Sequence, residues 1–184
     1  MLSGGTSEGN SKIIYGVVSS GSSVNKTSAN MGGIVGDNSG TIKYYKFSGS
    51  VMGKGNSNYG YGGIAGINRN TITYCGLVGN TSLVEAVGDA MDIASIGGIA
   101  GRNEKGAILS HSYVNGGNSS GNAIVIQSTS VGYVGGYCGY NLGTVTKNNT
   151  SSVDGYVTIQ TSKGHLGGMI GNNDKTGVVT QSTT

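Results

Sequence analysis

The stretch GGIVGDN, residues 32–38, decides the fold of this chain, because it returns four more times with the same pattern. Each copy has two glycines, an apolar residue, a mostly small residue, a third glycine, a variable residue and an asparagine. The later copies occupy residues 62–68, 97–103, 135–141 and 167–173, so successive copies start 30, 35, 38 and 32 residues apart. A repeat of this period indicates a chain that stacks copies of one supersecondary unit.

Each copy is followed by a turn and a β-prone segment. After the first copy the chain continues SGTIKYY, and after the second it continues RNTITYC. A glycine then marks a second turn, and a third segment leads to the next copy, most clearly at residues 123–127 and 156–160. Apolar and polar residues alternate in these segments, so one period predicts about three short strands. The best helical candidate, residues 82–94, is weakened by Gly88 and by its β-branched residues.

The repeat resembles the GLUG motif, named for Gly-Leu-uncharged-Gly, which occurs in large surface and secreted proteins, mainly of bacteria. A typical copy reads G-G-L-V-G-x-N-x-G-x-I and precedes a strand that contains tyrosine. The third position, usually leucine, here holds Ile34, Ile64, Ile99, Tyr137 and Met169. The spacing is longer and less regular than in compact versions, and the resemblance covers residues 31–180. It implies a β-solenoid on an extracellular surface, as in the stalks of some immunoglobulin-A peptidases, and it implies no activity.

We therefore expect an all-β, right-handed parallel β-solenoid of about five coils. In such a fold each strand pairs with its equivalent one coil away, about 4.8 Å along the axis. Residues 1–30 are assigned to an N-terminal partial coil or cap, in which residues 13–18 form a strand. Residues 31–180 are assigned to the solenoid repeats, and residues 181–184 to a polar tail.

The glycines and asparagines of the motif are expected to form the corners of the solenoid. Sharp corners need positive φ, which glycine adopts freely and asparagine tolerates. On this interpretation Gly33, Gly36 and Asn38 are corner residues, and Gly66→Val disrupts one coil and its two neighbours. Stacked asparagines are also expected to bond side chain to side chain as a ladder. The ladder would contain Asn38, Asn68, Asn103, Asn141 and Asn173.

The apolar positions predict columns of side chains that run through the core. The third motif position forms one column, and each buried side chain in it stabilises the fold by roughly 1.5–3 kcal/mol. A second column is predicted at Ile42, Ile72, Ile108, Val145 and Val178. A tighter column is predicted at Val35, Ala65, Ala100 and Cys138. Tyr44 and Tyr74 occupy equivalent positions and are expected to stack on the outside.

Composition limits the partners. Of 184 residues, 37 are glycine, none is proline and 10% are charged, with a net charge of +3. This charge is too weak and dispersed to indicate a nucleic acid or an anionic membrane, and no apolar run has membrane-spanning length. The opening MLSGG does not resemble a signal peptide, so we expect a mature or excised part of a secreted protein, or a methionine added for expression. Abundant Gly, Ser, Thr and Asn are typical of an extracellular or cell-surface protein.

Residues that carry catalysis or bind metals are few. His111 and His165 have no Cys, Asp or Glu at metal-ligand spacing, and His111 is expected at a solvated strand position with its flanking serines on the other face. Glu85, Asp89 and Asp92 predict a solvated acidic loop, with weak calcium binding as the alternative. We expect no catalytic residue, no metal site, no cofactor and no enzymatic activity.

The two cysteines, Cys75 and Cys138, are two repeats apart and at different places in the period, so no disulfide between them is expected. Cys138 falls at the tight core position and predicts a buried thiol. Cys75 follows a strand and is expected at the surface, where an intermolecular disulfide is an alternative.

Three functions remain open. The favoured one is a non-enzymatic structural or adhesive module of an extracellular or cell-surface protein, that is, a stalk, spacer or adhesin. The alternative is a self-assembling filament subunit whose uncapped ends stack end to end. A less favoured function is glycan binding by exposed tyrosines, at Tyr44, Tyr74, Tyr45 and Tyr113. The expected partners are other copies of this chain, or cell-surface proteins and glycans.

Overall fold

The computed structural model describes residues 2–3, 12–19, 29–54, 59–79, 82–88, 93–118, 123–147 and 152–181. Within these ranges the chain forms strands, turns and bends, and no helix. The strands are β1 (Leu2–Ser3), β2 (Lys12–Ser19), β3 (Met31–Gly32), β4 (Val35–Asn38), β5 (Thr41–Lys43), β6 (Tyr45–Lys54), β7 (Gly60–Gly62), β8 (Ala65–Asn68), β9 (Thr71–Thr73), β10 (Gly76–Val78), β11 (Leu83–Val87), β12 (Ala94–Gly97), β13 (Ala100–Asn103), β14 (Ile108–Ser110), β15 (Tyr113–Asn115), β16 (Ile124–Gly135), β17 (Cys138–Asn141), β18 (Thr144–Lys147), β19 (Ser152–Asp154), β20 (Val157–Gly167), β21 (Ile170–Asn173) and β22 (Val178–Gln181).

These strands form three parallel sheets that wind into a solenoid. Sheet A has the order β1-β5-β9-β14-β18-β22, and sheet C has the order β21-β17-β13-β8-β4. Sheet B contains the other eleven strands. Each strand pairs in parallel with the equivalent strand of the next turn. The predicted parallel β-solenoid is confirmed, with about four turns rather than five coils, because five motif copies delimit four intervals.

The glycines of the motif bring sheets B and C together backbone to backbone. The strand that ends at the first glycine of each Gly-Gly pair belongs to sheet B, and the strand after the pair belongs to sheet C. A Cβ atom on Gly66 would lie within 3.0 Å of the Met31 N, Gly36 O and Gly60 O atoms. A Cβ on Gly101 would similarly meet the backbone of Tyr61. No side chain fits between these strands, which explains the third glycine of the motif.

The positive φ angles lie outside the motif, so the positive φ predicted for Gly33, Gly36 and Asn38 is wrong. Among the described residues, positive φ occurs at Tyr44 (60°), Tyr74 (52°) and His111 (48°). The glycines with positive φ are Gly49, Gly106, Gly117, Gly155 and Gly164. The motif glycines are required for close backbone approach instead, and a side chain at any internal copy would collide with its neighbours.

The first predicted core column is confirmed. Ile64, Ile99 and Tyr137 are fully buried, whereas Ile34 and Met169 in the terminal turns are half-buried. The tight column is also confirmed, because the register aligns its members from turn to turn. These members are Val35, Ala65, Ala100 and Cys138.

The second predicted column is wrong at two positions. Leu109, and not Ile108, pairs with Ile72 and Val145 and is fully buried. Ile108 is 41% exposed, and Val178 likewise points outward while its neighbour Val179 takes the core column. The third and fifth copies carry two additional residues between the motif asparagine and the core residue. Since side chains alternate along a strand, an alignment that is wrong by one residue places the wrong side chain inside.

The segment before the first motif copy supplies a strand, as predicted for residues 13–18. Strand β2 runs beside β6 over its full length. The helical candidate at residues 82–94 contains strand β11 instead, while residues 89–92 lie outside the described residues.

Candidate functional site

A ladder of asparagine side chains connects all five motif copies, as predicted. Each Nδ2 atom donates to the Oδ1 atom of the next turn, at 2.7 Å, 2.9 Å, 2.8 Å and 2.8 Å in chain order. The three central asparagines are fully buried. The ladder contains Asn38, Asn68, Asn103, Asn141 and Asn173.

The ladder also fixes the turn from sheet C to sheet A. Asn68 Nδ2 lies 3.1 Å from the Asn70 carbonyl oxygen and 3.2 Å from the Ile108 carbonyl oxygen. Asn103 Nδ2 lies 3.4 Å from the Thr144 carbonyl oxygen. A buried amide is costly unless its donors and acceptors are paired, and these contacts pair them. The ladder therefore sets the spacing of the turns and the path of the chain inside each turn.

A second ladder of aromatic rings lies at the corner between sheets A and B. The ring centroids of Tyr44 and Tyr74 are 5.1 Å apart, so the predicted tyrosine stacking is confirmed. The ring of His111 continues the stack, 4.5 Å from Tyr74. The prediction that His111 is a solvated strand position is wrong, because this residue is half-buried at the corner with positive φ.

The faces of these rings are occupied by neighbouring side chains. Lys43 Nζ lies 4.7 Å from the Tyr44 ring centroid, which places a cation over the end of the stack. Lys46 Nζ lies 5.7 Å from the ring of Tyr113, and both Tyr113 and Tyr45 are half-buried. Sugar recognition by aromatic rings uses open ring faces, whereas this ladder uses its faces for turn-to-turn contacts.

A row of charged side chains crosses sheet C on the outside. Arg69 Nε lies 2.9 Å and 3.0 Å from the two carboxylate oxygens of Asp37, one turn earlier. Arg69 Nη1 lies 4.0 Å from Glu104 Oε1, one turn later. Arg102 Nε lies 2.7 Å from the same Glu104 oxygen, at ion-pair distance but without the geometry of a hydrogen bond. Exposed pairs of this kind contribute roughly 0–1 kcal/mol each, so their value lies in setting register.

Tyr140 extends this row toward the last turn. The Arg102 guanidinium carbon lies 5.2 Å from the Tyr140 ring centroid, and the Tyr140 hydroxyl donates a 2.8 Å hydrogen bond to Asp174 Oδ2. This hydrogen bond raises the pKa of Tyr140 and lowers the pKa of Asp174. Tyr133 stacks on Tyr140 at 5.2 Å, and His165 contacts the edge of Tyr133 at 5.1 Å.

Among the described residues, the acidic segment forms no metal site. Glu85 lies in β11, where its Oε1 atom accepts a 2.6 Å hydrogen bond from Gln127 Nε2. Gln160 of the following turn donates to Gln127 Oε1 in the same manner. Asp89 and Asp92 lie outside the described residues. Glu85 is thus part of a third turn-to-turn ladder.

Both cysteines are buried free thiols. Cys138 fills the tight core column, as predicted, and burial raises its pKa to about 12. The prediction that Cys75 lies at the surface is wrong, because its side chain is fully buried. Burial raises the Cys75 pKa to about 11, and its Sγ atom contacts the Thr73 carbonyl oxygen at 3.3 Å.

Within the part of the chain that the structure describes, no three His, Cys, Asp or Glu residues group in a way that suits a metal ion. The same part contains no helix with the length and apolar character needed to cross a membrane. Comparison with known proteins found no matching family model, no matching curated protein and no matching solved structure.

Sequence reasoning missed His111, Arg69 and Glu104 as members of these rows, and each had a detectable signal. His111 follows the sequence ILS as Tyr74 follows TIT, so an alignment of strands would have placed both at one corner. Arg69 and Glu104 each follow the motif asparagine directly. Opposite charges at equivalent positions of adjacent turns predict an ion pair.

Proposed function

We propose that this chain is a non-enzymatic structural module of an extracellular or cell-surface protein, serving as a stalk, a spacer or an adhesin, and that its repeats are of the GLUG type. The observation that carries the proposal is the unbroken asparagine ladder, which ties every motif copy to the next along the axis. A module that must keep a fixed length under load needs such axial connections.

The surface ladders support the same role. Charged, amide and aromatic side chains at the surface contact side chains one turn away. Sheet A holds six strands, so its five spacings of about 4.8 Å give a length of ~24 Å. A short, stiff rod with polar walls suits the separation or presentation of neighbouring domains.

The composition and the resemblance of the motif support a location outside the cell. The expected partners are other copies of this chain or cell-surface proteins and glycans. Glycan binding by the tyrosine row is the less favoured function, because the faces of Tyr44 and Tyr74 pack against each other.

A pair of spin labels tests the structural role. Ser39→Cys and Lys175→Cys introduce exposed thiols near the two ends, while both native thiols are buried. About four strand spacings separate these positions, which corresponds to ~19 Å before the label arms are added. We expect a narrow distance distribution that is unchanged by salt. A broad distribution, like that of the same labelled chain in urea, would refute a rigid module, and a glycan array then separates adhesin from spacer.

A further inference from the structure

Among the described residues, nothing covers the core columns of the last turn. Val179 of β22 is 49% exposed, although Val145, one turn earlier in the same column, is fully buried. Leu166 of β20 is 54% exposed, and its column neighbour Val134 is fully buried. A cavity of about 340 Å³ opens at this end, and it is lined by Ser152, Val153, Ile159, Gly168 and Met169. Apolar side chains beside unpaired strand edges favour the addition of another layer of strands.

The first turn exposes the opposite edges of the same columns. Ile14 of β2 belongs to the column that ends in Val153, and Val18 belongs to the column that ends in Ile159. Among the described strands, β2, β3 and β4 each pair on one side. The two ends therefore present apolar side chains and backbone groups at matching positions.

The contacts of the described residues do not require a glycine at Gly168. In the four earlier copies, a Cβ on the second motif glycine would lie within 3.0 Å of a carbonyl oxygen of the next turn. A Cβ on Gly168 would meet no atom within 4 Å. A glycine is needed here only beneath a following turn, and no such turn lies among the residues that the structure describes.

The asparagine ladder has a direction that allows it to continue. At the last turn, Asn173 Nδ2 donates to the Gly177 carbonyl oxygen, and at the first turn Asn38 Oδ1 accepts from the Gly40 amide. One end therefore presents the donor side of the ladder, and the other end presents the acceptor side. A second copy placed in register would add one more step of the same kind.

Strand β1 occupies the position that a second copy would need. It pairs with the outer edge of β5, with Leu2 opposite Ile42. Val179 lies in the same column, so β22 of another copy would take this edge of β5. Sheet A holds six strands and sheet C five, and β1 is the additional strand. Without β1, both sheets offer five layers.

We propose that chains stack end to end, with the last turn of one copy on the first turn of the next, and that β22 displaces β1 from β5. Strands β19 and β20 then pair with β2 and β3, and β21 pairs with β4. The strands β19 to β22 contribute 3, 11, 4 and 4 residues, which together fall at the lower end of the roughly 20–30 residues per side of a stable interface. The contact is heterologous, so it repeats into an open filament that grows by five layers, or ~24 Å, per copy. This inference rests on the proposed structural function and adds self-assembly to it.

Sedimentation velocity and negative-stain electron microscopy of the full chain over a concentration series test the proposal. We expect rods that lengthen with concentration and repeat at about 24 Å. A Cβ at position 168 meets no atom of its own chain, so Gly168→Val is expected to block the interface, to stay single and to keep an unchanged Tm. Ile14→Lys charges the opposite face and is also expected to stay single. Ile13→Lys, one residue away on the outward face, is the matched control and is expected to assemble.

The release of β1 has its own test. Leu2→Pro removes a backbone N–H from β1, so rods are expected at lower concentration. If Leu2→Pro forms rods only at a higher concentration than the unmodified chain, the proposed exchange of β1 for β22 is wrong.

Two results would overturn the stacking itself, namely single particles of the unmodified chain at every concentration, or Gly168→Val rods like those of the unmodified chain. If the single particles still give a narrow distance distribution between the two spin labels, the module is rigid. The last turn is then covered by a further turn of a longer polypeptide and not by a second copy.

Discussion

Replacing Asn103 with alanine removes one step from the middle of the buried asparagine ladder. Asn103 is fully buried, accepts a 2.9 Å hydrogen bond from Asn68 and donates a 2.8 Å hydrogen bond to Asn141. In Asn103→Ala the Oδ1 atom of Asn141 loses this donor, and burial without a partner costs about 1–3 kcal/mol. Asn68 Nδ2 retains the carbonyl oxygens of Asn70 and Ile108, so its loss is one net hydrogen bond of about 0.5–1.5 kcal/mol. The free energy of unfolding should therefore fall by roughly 2–4 kcal/mol.

Urea unfolding followed by circular dichroism measures this change, and Asn173→Ala is its control. Asn173 has the same chemistry and accepts from Asn141 at 2.8 Å, but it is exposed at the end of the ladder. Water replaces its contacts, so the control should lose at most about 1 kcal/mol. Equal losses in the two variants would refute the reasoning, since burial would then have no part in the value of a ladder step.

Three other changes test separate features. Gly66→Val should abolish the cooperative unfolding transition, because its side chain collides with the backbone on two neighbouring strands, whereas Gly40→Ala meets no atom within 4 Å and should melt like the unmodified chain. The two native thiols of the folded chain should react with a thiol reagent at pH 8 far more slowly than those of the chain unfolded in urea. Burial raises both cysteine pKa values above that of an unfolded cysteine, so the free energy of unfolding should fall as pH rises above about 8.5. Tyr140→Phe should lower Tm at pH 6, because it removes the hydrogen bond to the Asp174 carboxylate. The pKa of Asp174 is lowered by this bond, so the carboxylate stabilises the fold only while it is ionised, and the difference in Tm should shrink as pH falls below about 4. A difference in Tm that persists at pH 2 would contradict this account.

The repeat itself made the architecture predictable. Five copies with the same glycines and asparagine predicted parallel stacking, and stacking predicted both the asparagine ladder and the columns through Ile64 and Ala65. These inferences needed only the equivalence of positions between copies. The close approach of sheets B and C was not predictable from one copy, because it depends on two glycines four residues apart that face neighbouring backbones.

The errors come from insertions and from local conformation. Ile108 was placed inside because only one of the two additional residues after Asn103 was counted, and a pleated strand converts a miscount of one residue into a change of face. Cys75 was placed outside because it follows the end of β9, whereas the chain turns at Tyr74 and starts β10 at Gly76, with Cys75 buried between them. His111 was missed as a corner residue because a non-glycine residue with positive φ is uncommon, and its neighbour Tyr74 provides the contact that favours it.

The parallel register has a consequence for how the chain folds. Each asparagine bonds to a partner 30 to 38 residues away, and the described strands pair with strands of neighbouring turns. A nascent chain therefore gains a stable turn only after a further period has left the ribosome, and folding advances along the axis by one neighbour at a time. In the mature molecule the same dependence makes the central turns the last to exchange their amide hydrogens.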